Sequence, residues 1–152
     1  MPRAAFDAGC GCAVGPIFSK ESLMYIPPGF NTVTPYIFVD HAEKFVEFLV
    51  QGLDGFEIHR SLRADGCIAN AQVAIGTSTV MVSEASIDFP AMPASYYLYV
   101  ENAEESVARA LHHGATLMMT VADMPYGDRQ GGVRDAHGNL WWISQRLVKG
   151  GY

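Results

Sequence analysis

One stretch of this chain recurs 61 residues further on, and that recurrence restricts the possible folds more than any other feature. Thr34-Pro35-Tyr36-Ile37-Phe38-Val39-Asp40-His41-Ala42-Glu43 is echoed by Ser95-Tyr96-Tyr97-Leu98-Tyr99-Val100-Glu101-Asn102-Ala103-Glu104. Tyr36, Val39, Ala42, Glu43 and Val46 match Tyr97, Val100, Ala103, Glu104 and Val107. Self-similarity at one fixed spacing marks a duplicated structural unit. Each copy reads as a strand entering a helix, with more strand-like sequence behind it. Two copies fill the chain, so they form a pair and not an open array.

The punctuation gives the same order in both copies. Pro27-Pro28-Gly29 is a breaker, and Thr32–Val39 follows as a strand rich in β-branched and aromatic residues. Asp40 with Glu43 reads as a capping box. Ala42, Phe45, Val46, Leu49 and Leu53 then recur at helical spacing. Strands are expected at Phe56–Leu62, Ile68–Ile75 and Thr79–Glu84. In the second copy a strand at Ser95–Val100 leads to Asn102 as the helix cap. The apolar face is Ala103, Val107, Ala110 and Leu111, and Gly114 stops the helix. Strands follow at Thr116–Val121, Gln130–Arg134 and Leu140–Gln145, the last two joined by the hairpin Asp135-Ala136-His137-Gly138-Asn139. The predicted fold is α+β: two tandem βαβββ modules whose curved mixed sheets form a cup. The expected boundaries are a leader 1–23, a first module 24–88, a linker 89–93, a second module 94–147 and a tail 148–152.

Composition excludes several partners. The chain has 152 residues, a formal net charge of −6 and a pI of about 5.2, whereas nucleic-acid binding calls for a basic surface. No run approaches the roughly 18 apolar residues of a membrane helix. The cysteines, Cys10, Cys12 and Cys67, do not make a disulfide framework, and a reducing, cytoplasmic location is expected. Cys10-Gly-Cys12 has no second ligand pair at zinc-finger spacing. The leader is not a secretory signal, because Asp7 interrupts its only apolar stretch. Ala8-Gly9-Cys10 resembles the end of a lipoprotein signal but has no apolar segment before it. Met24 reads as a plausible start, with the leader dispensable.

The βαβββ repeat and the segment Tyr126-Gly127-Asp128-Arg129-Gln130-Gly131-Gly132-Val133-Arg134-Asp135-Ala136-His137-Gly138-Asn139-Leu140-Trp141-Trp142-Ile143 resemble the vicinal-oxygen-chelate superfamily of glyoxalases, bleomycin-resistance proteins and dioxygenases. Ile26-Pro27-Pro28-Gly29-Phe30-Asn31-Thr32-Val33-Thr34-Pro35-Tyr36 is similar to the opening of its PhnB-like branch. The resemblance covers residues 26–146. It implies a cup that holds either a metal ion, in the enzymes, or an organic ligand, in the drug-binding members. It also implies homodimers, whose paired modules complete the cups.

In the family's metalloenzymes the metal ligands come from the first and last strand of each module. Carried onto this chain, those positions are Thr34, Ser95, Trp142, and Val82 or Glu84. Two hydroxyls, an indole and one carboxylate do not make a transition-metal site, which needs three or four converging N, O or S donors. The histidines lie elsewhere: His41 at a helix start, His112-His113 at a helix end, His137 in a hairpin, and His59 on a strand. No metal and no cofactor is expected. If Thr34 and Ser95 face the cup, strand alternation turns Tyr36, Phe38, Tyr97, Tyr99 and Trp142 the same way. It sends Ile37, Val39, Leu98, Trp141 and Ile143 to the core. Arg129, oriented by Asp128, is a candidate for an anionic ligand group. The expected function is metal-independent binding of a planar or amphipathic small molecule. The alternatives are a glyoxalase-like lyase or isomerase, and a regulatory or interaction module without ligand.

Overall fold

A computed structural model describes residues 25–150 of the chain. The leader reading, with Cys10, Cys12 and the lipoprotein-like Ala8-Gly9-Cys10, lies outside the described residues. The elements run β1 Tyr36–Val39, α1 Ala42–Gln51, β2 Phe56–Leu62, β3 Ile68–Ile75 and β4 Ser78–Glu84. They continue with β5 Ser95–Tyr99, α2 Ala103–His112, β6 Thr116–Asp123, β7 Asp128–Arg134 and β8 Leu140–Arg146. Each module keeps its own four-stranded sheet, in the orders β1-β4-β3-β2 and β5-β8-β7-β6. The first and last strands of a module run parallel and the remaining pairs antiparallel.

The duplication extends further than the sequence match showed. Tyr36 lies opposite Met81 and Tyr97 lies opposite Trp142, so the offset of 61 holds in the last strands as well. It equates Met81 with Trp142, Val82 with Ile143, Ser83 with Ser144, and Glu84 with Gln145.

Strand β1 is shorter than the expected Thr32–Val39. Pro35 has no N–H for a ladder, and the Thr34 hydroxyl donates back to the Asn31 carbonyl at 2.9 Å, which holds this entry segment in a turn. The Asp40/Glu43 capping box does not form either. The N-cap of α1 is His41, in left-handed backbone conformation (φ 60, ψ 50) and with no side-chain cap of its own. Its orphan donors are met from the last strand instead: Glu84 accepts from His41 N and Ala42 N, both at 2.8 Å. In the second module Asn102 caps α2 as expected, accepting from Glu105 N at 3.2 Å. Gln145, the counterpart of Glu84, accepts from Ala103 N at 3.3 Å.

One continuous core fills the space between the sheets and the helices, and it crosses from module to module. Ile37, Val39, Phe45, Leu49, Val73 and Val82 join Val107, Val133, Trp141 and Ile143. Across the seam the Phe45 ring meets the edge of His137 at a centroid distance of 5.1 Å. The β7–β8 hairpin is pinned by Asp135, whose buried carboxylate accepts from His137 N, Asn139 N, Asn139 Nδ2 and Trp141 Nε1 at 2.8–3.0 Å. Trp141 also stacks on Tyr96 at 4.7 Å. Burial, then the Asp135 charge, push the Tyr96 phenol above its ordinary pKa.

Candidate ligand site

Residues paired across neighbouring strands project to the same side of a sheet, so the ladders define what lines each outer face. On the first sheet one row reads Tyr36, Met81, Gln72, His59, and the next begins with Phe38 and Ser83. On the second, one row reads Tyr97, Trp142, Gly132, Met119, and the next Tyr99, Ser144, Gln130, Ala122. Both faces point away from the helices, and their aromatics are open: Tyr36 is 44%, Tyr97 46% and Tyr99 53% exposed. Trp141, one residue from Trp142, is 3% exposed and belongs to the core. The expected register holds at this pair.

The rings are fixed by contact with one another and by hydrogen bonds at their tips. Tyr36 and Phe38 lie 4.6 Å apart, Phe38 stacks on Phe89 of the linker at 5.6 Å, and Tyr97 and Tyr99 are separated by 5.1 Å. The Trp142 indole N–H donates to Ser95 Oγ at 3.0 Å. Its ring lies over Gly132, where an added Cβ would come within 2.9 Å of Cζ3, so glycine there gives the indole its seat. That is the structural use of the Gly131-Gly132 pair.

The two modules repeat a Tyr–Ser pairing at the base of these faces. Tyr36 Oη is 2.7 Å from Ser83 Oγ, and Tyr97 Oη is 3.0 Å from Ser144 Oγ. The second face adds a charge. Asp128 is fully buried, and its Oδ2 accepts from Tyr97 Oη at 3.0 Å and from Ser144 Oγ at 3.2 Å. Its Oδ1 accepts from Arg146 Nη1 at 2.8 Å. A buried carboxylate held by a guanidinium and two hydroxyls is a fixed acceptor that sets the direction of the Tyr97 phenol.

Three expected site residues lie away from these faces. Glu84 is on the helix side, where its carboxylate serves the start of α1. Val82, the tighter alignment, is fully buried in the core, and the counterpart of Trp142 is Met81. Arg129 pairs with Gln145, and its Nε donates to Asp123 Oδ1 at 2.7 Å while Glu104 on α2 lies 3.9 Å away. Those carboxylates raise the Arg129 pKa, and the Arg129 hydrogen bond holds Asp123 below the usual carboxylate range. Asp128 therefore orients Tyr97 and not Arg129; alternation along β7 puts the two on opposite sides. Thr34 precedes β1 but lines a cavity of about 580 Å³ with Tyr25, Phe30, Gln72 and Met81 on the first outer face.

Two residues that sequence reasoning set aside or missed stand on these faces. A bulge between Glu57 and His59 shifts the β2 register and places His59 opposite Gln72, while Arg60 goes to the helix side and binds Glu57 and Glu43. Nothing in the sequence signalled that bulge. Arg146 was missed because it stands at the very end of β8, beyond the predicted strand. Among the described residues, no three His, Cys, Asp or Glu side chains come together to hold a metal ion. The positions homologous to metal ligands do not fit one either: hydroxyls of Thr34 and Ser95, the Met81 thioether and the Trp142 indole.

A duplicated βαβββ unit with aromatic outer faces defines a known class, and comparison with other proteins places the chain in it. Residues 29–143 match the Glyoxalase/Bleomycin resistance protein/Dioxygenase superfamily. The chain belongs to that superfamily. It is 30% identical over 127 residues to the uncharacterized protein Mb0911c of Mycobacterium bovis, covering 74% of this chain and 82% of the relative. Among solved structures it is similar to TioX from Micromonospora sp. ML1, with a TM-score of 0.61 and 24% identity over 76% of this chain and 99% of that one. It is also similar to TnmS3 from Streptomyces sp. CB03234, described as an antibiotic binding protein, with a TM-score of 0.59 and 18% identity over 76% and 97% of the two chains. The PhnB protein from Bacillus cereus gives a TM-score of 0.60 at 19% identity over 76% and 99%. At these identities the structural likenesses bear on fold alone.

Proposed function

We propose that this chain is a metal-independent small-molecule-binding protein that takes a planar or amphipathic organic ligand against its aromatic outer faces. The observation that carries the reading is the pair of outward-facing aromatic rows, Tyr36 and Phe38 on one sheet and Tyr97, Tyr99 and Trp142 on the other, with the three tyrosines exposed and Ser95 at the rim. Flat rings with few polar tips suit a conjugated ligand, which gains by stacking and leaves no buried charge unpaired. Within the superfamily we place the chain in the PhnB-like branch, on its Ile26–Tyr36 segment, and in the cytoplasm. Among the described residues no helix is long and apolar enough to cross a membrane.

The cup is completed by a second copy. Beyond the tyrosines, Phe56, which shares the outer row of Ala74, is 72% exposed, and the bulge residues Ile58 and Met118 are about half exposed, which leaves apolar surface open to a partner. A two-fold pairing that sets the first sheet of one copy against the second sheet of the other covers it. Sedimentation at micromolar concentration reads this directly, and a species of 16.5 kDa alone contradicts it. A screen of conjugated ligands by tryptophan quenching tests the function. Saturable quenching lost in Trp142→Ala supports it, and no ligand at millimolar concentration leaves the interaction-module reading.

One observation favours an enzyme as the second reading: the Tyr97–Asp128 pair. A phenol donating to a buried carboxylate has the make-up of a metal-free acid–base pair for a glyoxalase-like lyase or isomerase. Turnover abolished by Tyr97→Phe, with ligand binding retained, would distinguish it.

A further inference from the structure

Two grooves run along the seam between the modules, and the internal repeat relates them. The first, about 560 Å³, lies between the start of α1 and the β7–β8 hairpin. The second, about 640 Å³, lies between the start of α2 and the β3–β4 hairpin. At the offset of 61, His41 corresponds to Asn102, Lys44 to Glu105, Phe48 to Arg109 and His137 to Gly76. The geometry is duplicated and the chemistry is not. The second groove holds three carboxylates, Glu101, Glu105 and Asp54, together with the guanidiniums of Arg109 and Arg146, and no imidazole. The first gathers hydrogen-bond donors, Lys44 and the imidazoles of His41, His113 and His137, over the apolar Phe48 and Val39.

We propose that the first groove is a second small-molecule site, separate from the aromatic faces, which takes a monoanionic carboxylate carried on a small apolar body. Its volume falls within the range of small-ligand pockets. Lys44 is exposed and forms no ion pair with any described residue, so its ammonium is available as a counter-charge. The left-handed backbone of His41 goes with its N–H reaching Glu84, and its imidazole sits on the groove wall. His137 packs edge-on against Phe45, and its Nδ1 is buried without a hydrogen-bond partner. Phe48, 7% exposed, gives the apolar body a surface to lie on. Asp40 and Glu47 line the same groove and set the charge of the ligand. A monoanion beside Lys44 meets less repulsion from these two carboxylates than a phosphate dianion does.

Benzoate is a suitable probe, with benzamide as its neutral isostere and inorganic phosphate as the multivalent control. Histidine side-chain resonances of the full-length protein report occupancy. The expected result is saturable benzoate-dependent movement of the His41, His113 and His137 signals, little response to benzamide, and no change in this behaviour in Trp142→Ala. Lys44→Glu, an exposed substitution whose folding is checked by its melting curve, should weaken benzoate by about tenfold or more, the loss of one charge-assisted hydrogen bond. Equal response to benzamide, stronger response to phosphate, an unchanged response in Lys44→Glu, or a response that disappears in Trp142→Ala overturns the proposal. The last result would assign the binding to the aromatic faces, and so separates this site from the function proposed above.

Discussion

Trp141 and Trp142 are adjacent in sequence and should behave as opposites. Trp141→Ala removes an indole that is 3% exposed, stacked on Tyr96 and hydrogen-bonded through Nε1 to Asp135. Deleting a buried tryptophan costs about 3–5 kcal/mol. Asp135 keeps three other N–H donors, so its lost hydrogen bond adds only about 1 kcal/mol. For a chain of this size each kcal/mol moves the melting temperature by about 2–4 °C, so a fall of roughly 8–24 °C is expected. Trp142→Ala removes a part-exposed ring whose one hydrogen bond goes to Ser95, and should cost about 1 kcal/mol. Its effect should fall on ligand binding instead. Urea unfolding followed by far-ultraviolet circular dichroism is the appropriate assay, because both variants change the fluorescence. If Trp142→Ala is the more destabilised of the two, the assignment of residues to the outer faces is wrong, and every site residue inferred from that alternation falls with it.

Glu84→Ala should destabilise the protein by about 1–2 kcal/mol in the same assay, because two helix N–H groups lose their acceptor, and Glu84→Gln should recover part of that loss. Arg129→Ala should leave ligand binding on the outer faces unchanged, as fluorescence titration will show, since its guanidinium is held on the helix side by Asp123 and Glu104. The same variant should return the Asp123 carboxyl, observed by carbon-detected NMR, from below the usual range towards its ordinary value near ~3.9. The folded-state pKa of Asp123 is the lower one. Whatever stability the pair confers is therefore present above the unfolded carboxylate's pKa and is lost as pH falls through the folded one. The pair is solvent-exposed, so salt should flatten this dependence.

What could be read from the residues was whatever depends on period. The 61-residue repeat, the helical spacing of Phe45, Val46 and Leu49, and the alternation through Trp141 and Trp142 are local patterns, and each element they predict is present. What could not be read depends on partners brought from a distance. Asp40 and Glu43 have the spacing of a capping box, but Glu84 is a carboxylate from the last strand that satisfies the same two N–H groups, and a local motif loses its role when a distant one fills it first. Asp128 next to Arg129 suggested a pair, yet neighbours on a strand face opposite ways, and the guanidinium that meets Asp128 is Arg146, reached only through the β7–β8 ladder. The alignment error at Val82 has the same origin. A repeat degenerates fastest where the side chains of its two copies are put to different uses, and the last strands differ by Met81 against Trp142 on the outer face. The offset of 61, applied without exception, would have paired those two and placed Glu84 with Gln145 at the helix starts. The geometry of a duplicated fold is thus better preserved in its spacing than in its residues, and the positions where spacing agrees and chemistry differs are where the two modules have taken on separate roles.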